Sequence, residues 1–130
     1  MIVVDASAAL DLILISDASG KITKDELVAP PLMWSEATSS LREAVWRRSL
    51  SKEAALEGLS RLQGSAIKRL VPKGLYLEAW LVAQELGWAK TYDAEYVALA
   101  RLQGCRLLTR DARLQRGAGH LVEVIDPTQL

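Results

Sequence analysis

The sequence predicts an α/β domain in which a short parallel sheet is surrounded by helices. Three observations lead there. Apolar, β-branched runs of a few residues recur along the chain and alternate with longer segments whose apolar residues repeat at helical spacing. Proline, glycine and aspartate punctuate the junctions between the two kinds of segment. The 130 residues suffice for one ordinary core and are too few for two, so residues 1–130 are expected to form a single domain.

The elements follow in order. Residues 2–5 (Ile-Val-Val-Asp) read as a buried strand that stops at an acid, and residues 7–15, rich in Ala and Leu, as a helix. A strand that turns into a helix within a few residues begins a parallel α/β unit. Residues 21–27 are expected to form a second, short helix. Val28-Ala29 precede Pro30-Pro31 and must be extended, because a residue before proline avoids the helical region. Pro31 suits a first helical turn, and beyond it Met33, Ala37, Leu41, Ala44 and Val45 share one helix face. Ser51 before Lys52-Glu53-Ala54 is an N-cap signature for a helix directing Ala55, Leu56, Leu59 and Leu62 inward. Residues 67–71 read as a strand and Pro72-Lys73-Gly74 as a turn. Residues 75–86 and 93–102 are helical patterns closed by Gly87 and Gly104, and residues 105–109 and 121–125 are the last strands.

Half the residues are hydrophobic and a quarter charged, a globular composition that excludes disorder. The start Met1-Ile2-Val3-Val4-Asp5 has no basic leader or cleavage site, and no segment has the length and apolarity of a membrane span, so a cytoplasmic protein without membrane contact is expected. Cys105 is the single cysteine and His120 the single histidine. An internal disulfide, a cysteine-rich zinc site and a Ser-His-Asp triad are thereby disfavoured, and any metal must be held by carboxylates. Cys105 reads as a small buried hydrophobe, and His120 is given no role. Net charge is zero, yet residues 1–40 carry six acidic and two basic residues while residues 41–130 carry ten acidic and fourteen basic. An acidic end for metal beside a basic remainder suits a nuclease.

Asp5 and Asp111 close strands, Asp93 opens a helix, and Glu36 lies in the first turns of the helix after Pro31. Ligands of open α/β sheets bind beyond the carboxyl ends of the strands, where these side chains can converge. Taken singly, each has an ordinary explanation: Asp5 and Asp111 as helix caps, Asp93 as a first-turn carboxylate favoured by the helix dipole, Glu36 as a solvated residue.

Their local sequences resemble the motifs of the PIN domains, in particular the VapC-type toxins. Val3-Val4-Asp5-Ala6-Ser7-Ala8 is similar to the family's opening. The stretch from Pro31 through Glu36-Ala37 to Leu41-Arg42 is similar to its proline, glutamate and Leu-Arg segment. Tyr92-Asp93-Ala94-Glu95-Tyr96-Val97-Ala98-Leu99-Ala100 and Leu107-Leu108-Thr109-Arg110-Asp111-Ala112-Arg113-Leu114 complete the set, four motifs in order over residues 1–125. The resemblance implies a PIN fold and an endoribonuclease that leaves a 5′-phosphate and a 3′-hydroxyl. It implies that Asp5, Glu36, Asp93 and Asp111 hold one or two Mg²⁺ or Mn²⁺ ions, hard cations suited to carboxylate oxygen. Ser7 and Thr109 are supporting candidates, Ser7 being equally explained as a hydroxyl satisfied by the first helical turn. Arg110 and Arg113, with Arg106 and Arg116, are candidate contacts to RNA phosphates, or a solvated helix face. Ser39 stands where the family often has Asn, and Arg110 replaces a small residue, a departure that bears on specificity. The resemblance also implies a cognate antitoxin encoded beside the gene, which would insert a basic side chain among the acids, and a homodimer. Trp46 and Leu50, between two helices, are candidates for that apolar interface, with a core role as the alternative for Trp46.

A receiver domain, which also binds Mg²⁺ through carboxylates, needs a phosphoacceptor aspartate midway along the chain, and residues 51–58 are helical in pattern and contain none. A haloacid-dehalogenase-like phosphatase needs a second aspartate where Ser7 stands. A PIN-fold protein that binds RNA or a partner without cutting is a further alternative, against which all four acids speak. DNA as the substrate, as in the related flap nucleases, stays an alternative, although so short a chain lacks the extra elements such enzymes carry.

Overall fold

The computed structural model describes residues 1–15 and 24–129. Five strands, β1 (Ile2–Val4), β2 (Leu27–Ala29), β3 (Lys68–Arg69), β4 (Arg106–Leu108) and β5 (Val124–Ile125), form one parallel sheet in the order β3-β2-β1-β4-β5. β1 is central, with Val3 opposite Val28 on one side and Leu107 on the other. Ile2, Val3 and Val4 are all fully buried. A strand covered on both faces needs apolar residues at every position, which is why β1 reads as a continuous run rather than an alternation.

The described helices are α1 (Ala6–Leu14), α2 (Leu32–Trp46), α3 (Lys52–Gln63), α4 (Leu75–Leu86), α5 (Tyr92–Gln103) and α6 (Ala112–Ala118), with a 3₁₀ turn at Pro127–Gln129. α1, α2 and α3 pack on one another; α4 packs on α5, and α5 lies against β1 and β4. α5 is the innermost helix: every residue from Ala94 to Ala100 is buried, and Glu95 is the single charged one among them. No described helix is long and apolar enough to cross a membrane.

The caps form as the sequence predicts. Ser51 Oγ accepts the Ala54 N–H at 3.1 Å, and Gly87 and Gly104 close α4 and α5 at φ 73° and 63°, a left-handed backbone that side chains with a Cβ resist. Several local expectations change. The strands expected over residues 67–71 and 121–125 shorten to the two-residue β3 and β5. In the segment expected to be a helix over residues 21–27, residues 24–26 are turn and irregular backbone and Leu27 opens β2; residues 21–23 lie outside the described residues. Pairing with β1 accounts for this, because the Ile2 N–H donates to the Glu26 carbonyl at 2.9 Å and Leu27 lies beside Ile2, so tertiary context overrides a weak propensity. Leu56 points outward and is 55% exposed, whereas Ala55 and Leu62 are buried as expected. Cys105 is half-buried, since it precedes β4 rather than lying inside it.

Candidate active site

The chain runs from β1 outward to β2 and β3, then returns to the other side of β1 for β4 and β5. The switch in direction lies between β1 and β4, and connections leaving the carboxyl ends of two such strands diverge to leave a crevice. Asp5 follows β1 directly, and Thr109, Arg110 and Asp111 follow β4. The Asp5 N–H donates to the Leu108 carbonyl at 3.3 Å, holding the two strand ends together.

Asp5 is 4% exposed. Its Oδ1 accepts the Ser7 hydroxyl at 2.7 Å and the Ala8 N–H at 2.9 Å, so Asp5 does cap α1. Its Oδ2 accepts the hydroxyl of the fully buried Thr109. Each carboxylate oxygen offers two lone pairs, so Oδ2 keeps one for another partner. The same two hydroxyls tie in the β4 connection: Ser7 Oγ accepts the Arg110 N–H at 3.1 Å and Thr109 Oγ1 the Asp111 N–H at 2.9 Å. Ser7 therefore bonds to Asp5 and the facing loop as well as belonging to the first turn of its own helix.

The other acids come from three further elements. Asp111 caps α6, with Oδ1 accepting the Arg113 N–H at 2.8 Å and Oδ2 within 3.0 Å of Arg113 Nη2. Asp93, in the first turn of α5, lies 3.9 Å from the same Arg113 nitrogen. Glu36, from α2, accepts the hydroxyl of Tyr96, which sits three residues after Asp93 on the same side of α5. Glu36 and Asp93 also line a cleft of about 550 Å³ with Trp88, Lys90, Tyr92 and Arg113.

Burial and mutual repulsion shape the protonation of this group. The Asp5 carboxyl is pushed up by burial, an effect its three donors oppose and the Asp111 charge reinforces. Glu36 is raised by burial, against the Tyr96 hydrogen bond, and further by the charges of Asp93 and Asp5. Asp93 is raised by burial and by Asp111, with Arg113 opposing. Asp111 goes the other way: burial would raise it, but the bonds and charge from Arg113 outweigh burial and hold it below the usual range. Asp5, Glu36 and Asp93 are thus each raised by the charge of another of the four, and Glu95 joins through Glu36. The Tyr96 hydroxyl, driven far up by burial and then by Glu36, remains a donor.

An all-oxygen carboxylate donor set paired, among the described residues, with a single arginine fits a hard divalent ion. Among the described residues, no three acidic, His or Cys side chains are drawn together tightly enough to cage an ion as they stand. Two of the acids have other partners, Asp111 on Arg113 and Glu36 on Tyr96.

The remaining candidates are dispersed. Arg110 pairs with Asp11 of α1 at 2.8 Å, and Arg106 opens β4 at the strand end away from the acids, so the four arginines do not form one cluster. Arg113 is the one that contacts the acids. Tyr96, Glu95, Trp88 and Lys90 carried no role in the sequence. The spacing of Asp93 and Tyr96 places them on one helix face, but the link from Tyr96 to Glu36 spans 60 residues and has no local signature.

A parallel sheet in this order, with acids gathered at the switch point, is the architecture of a PIN domain. The PIN domain family profile matches residues 2–119, and the chain belongs to that family. It is 38% identical over 116 residues to Ribonuclease VapC9 of Mycobacterium tuberculosis, covering 88% of each chain. The crystal structure of PAE2754 from Pyrobaculum aerophilum matches with a TM-score of 0.76 at 28% identity, over 98% of this chain and 90% of that one. VapBC2 from Rickettsia felis, solved bound to a promoter DNA fragment, shares the fold with a TM-score of 0.67 at 12% identity, over 97% and 98% of the two chains. A receiver domain would use the flavodoxin-like order 2-1-3-4-5, so that reading falls.

Proposed function

We propose that the protein is a divalent-metal-dependent endoribonuclease and the toxin of a VapBC-type pair, with Asp5, Glu36, Asp93 and Asp111 as its acidic set. The observation that supports the reading is the approach, at the sheet's switch point, of four acids from four separate elements, three of which are raised by the charge of another. The similarity to a ribonuclease over most of both chains names the substrate class. Asp5 and Asp93 are the best direct ligands for Mg²⁺ or Mn²⁺, with Glu36 and Asp111 binding directly or through water. Such an ion supplies an acidified water and neutralises charge on the phosphodiester and the leaving oxygen. The chain's own part is positional. Ser7, Thr109 and the Ala8 N–H fix both oxygens of Asp5, Tyr96 fixes one oxygen of Glu36, and Lys90 stands in the adjoining cleft where a phosphate backbone would run.

Two protein partners belong to this reading. Between α2 and α3 runs an apolar groove of about 540 Å³ floored by Leu41, Val45, Leu56 and Leu59, with Arg42 and Lys52 also lining it. It suits an amphipathic antitoxin segment with acidic flanks, whose basic tail would enter the acid site. Trp46, 76% exposed at the end of α2, is free for such a contact and has no core role. A homodimer would use α4, where Tyr76, Leu77, Trp80 and Leu81 all face solvent.

The test is cleavage of RNA with Mn²⁺ or EDTA, with mapping of the product ends, for the wild type and Asp93→Asn. Metal-dependent cuts leaving 5′-phosphates, lost in the variant, are expected. RNA bound but left intact by the Mn²⁺-loaded wild type would favour a non-catalytic PIN protein, and cleavage in EDTA would remove the metal from the reaction.

A further inference from the structure

Among the described residues, Arg113 is the cation that pairs with acids of the site, whereas Lys90 lines the cleft without an ion pair to them. The Arg113 Nη2 lies 3.0 Å from Asp111 Oδ2 and 3.9 Å from Asp93 Oδ2, so a single guanidinium nitrogen faces carboxylates from α5 and from the head of α6. Its Nε lies 3.4 Å from Asp111 Oδ1. The side chain is nonetheless 76% exposed and lines the same cleft as Glu36, Lys90 and Asp93. Nothing encloses the head, and the long stem can rotate it away while the Arg113 backbone N–H keeps its bond to Asp111.

We propose that Arg113 is the resident counter-ion of the acid site: in the metal-free protein it holds the space between Asp93 and Asp111 that a divalent ion takes, so loading proceeds by displacing it. The inference rests on the metal-dependent reading above and adds a competition to it. A planar monocation satisfies two carboxylates without the close oxygen shell that a small divalent ion demands, which accounts for acids that neighbour one another but do not cage an ion. The arginine spares the empty site part of its self-repulsion and weakens metal affinity by the same amount. An exposed pair of this kind corresponds to roughly a fivefold effect at most.

The experiment is Mn²⁺ titration by calorimetry of the wild type and of Arg113→Gln, Arg113→Lys, Arg116→Gln and Asp93→Asn, with folding checked by circular dichroism. Arg116 lies one turn along α6 and makes no ion pair among the described residues, so its variant removes an equal charge without vacating the site. Arg113→Gln is expected to bind Mn²⁺ about three- to fivefold more tightly. Arg113→Lys should fall between it and the wild type, because an ammonium keeps the charge but cannot make the two-point contact of Nε and Nη2 with Asp111. Arg116→Gln should stay within about twofold of the wild type, as screening weakens exposed charges that are not in contact. If Arg113→Gln gains nothing, or gains no more than Arg116→Gln, while Asp93→Asn loses the ion, displacement is refuted and the metal site stands. If the wild type binds no Mn²⁺, the metal-dependent reading fails as well.

Discussion

Replacing Thr109 by valine isolates one atom of the site. The side chain is fully buried, its hydroxyl donates to Asp5 Oδ2, and the same oxygen accepts the Asp111 N–H at 2.9 Å. Valine keeps the shape and deletes both bonds. Loss of a hydrogen bond to a charged group costs about 1.5–3 kcal/mol, and an amide left without its acceptor about 1 kcal/mol more. The extra methyl returns about 0.8 kcal/mol, leaving a net loss of about 2–3 kcal/mol at neutral pH. With an unfolding entropy of about 2.1 cal/mol/K per residue, that corresponds to a fall in Tm of about 7–11 °C.

The pH dependence gives the sharper check. Asp5 has a folded-state pKa above its unfolded value, so the fold favours its protonated form, and that stability is lost as pH rises through the folded pKa. Removing a donor to the ionised form raises this pKa further, so the variant suffers most where Asp5 is ionised in the wild type. Denaturation of both proteins in metal-free buffer, followed from neutral pH down through the carboxylate range, should show the gap narrowing as the pH falls. A gap below about 0.5 kcal/mol at neutral pH, or one that stays constant as the pH falls, would refute the idea that Thr109 stabilises an ionised, buried Asp5.

Other substitutions reach separate parts of the argument. Asp5→Asn should abolish cleavage yet leave the circular dichroism spectrum unchanged, since shape is kept and ligand charge removed. Tyr96→Phe, at a buried ring whose hydroxyl holds Glu36, should cost about 1–2 kcal/mol by urea denaturation and raise the Glu36 pKa, shifting the acid limb of the cleavage profile to higher pH. Saturating Mn²⁺ at about 100 times its Kd should stabilise the wild type by about 2.7 kcal/mol, a gain that Asp93→Asn should lack. Gly58→Ala should be neutral or stabilising by up to about 1 kcal/mol. Its new Cβ would sit 3.1 Å from Leu14 Cδ2, the end of a flexible side chain that is 42% exposed and free to yield.

Local chemistry carried much of this protein. The continuous, β-branched Ile-Val-Val run ahead of Asp5 reads as a buried strand, and Ser51, Gly87 and Gly104 mark helix ends through bonds and backbone angles that depend on neighbouring residues alone. The four acids were singled out by the resemblance of their local motifs to the PIN domains, since a place at a strand end or in a helix's early turns gave each of them an ordinary reading by itself. What lay beyond local pattern was partnership. Residues 24–26 gave up a helix because β2 had to reach the edge of β1, a pairing decided between segments over 20 residues apart. Leu56 has a helical spacing that points inward, yet it faces an open groove, since which side of a helix is covered depends on what packs there. Thr109 meets Asp5 across 104 residues, Tyr96 meets Glu36 across 60, and Arg113 meets Asp93 from another helix altogether. Hydrogen bonds and ion pairs act over a few ångströms of space whatever the distance along the chain, so only the folded sheet and the helices around it could decide which donor each acid would keep.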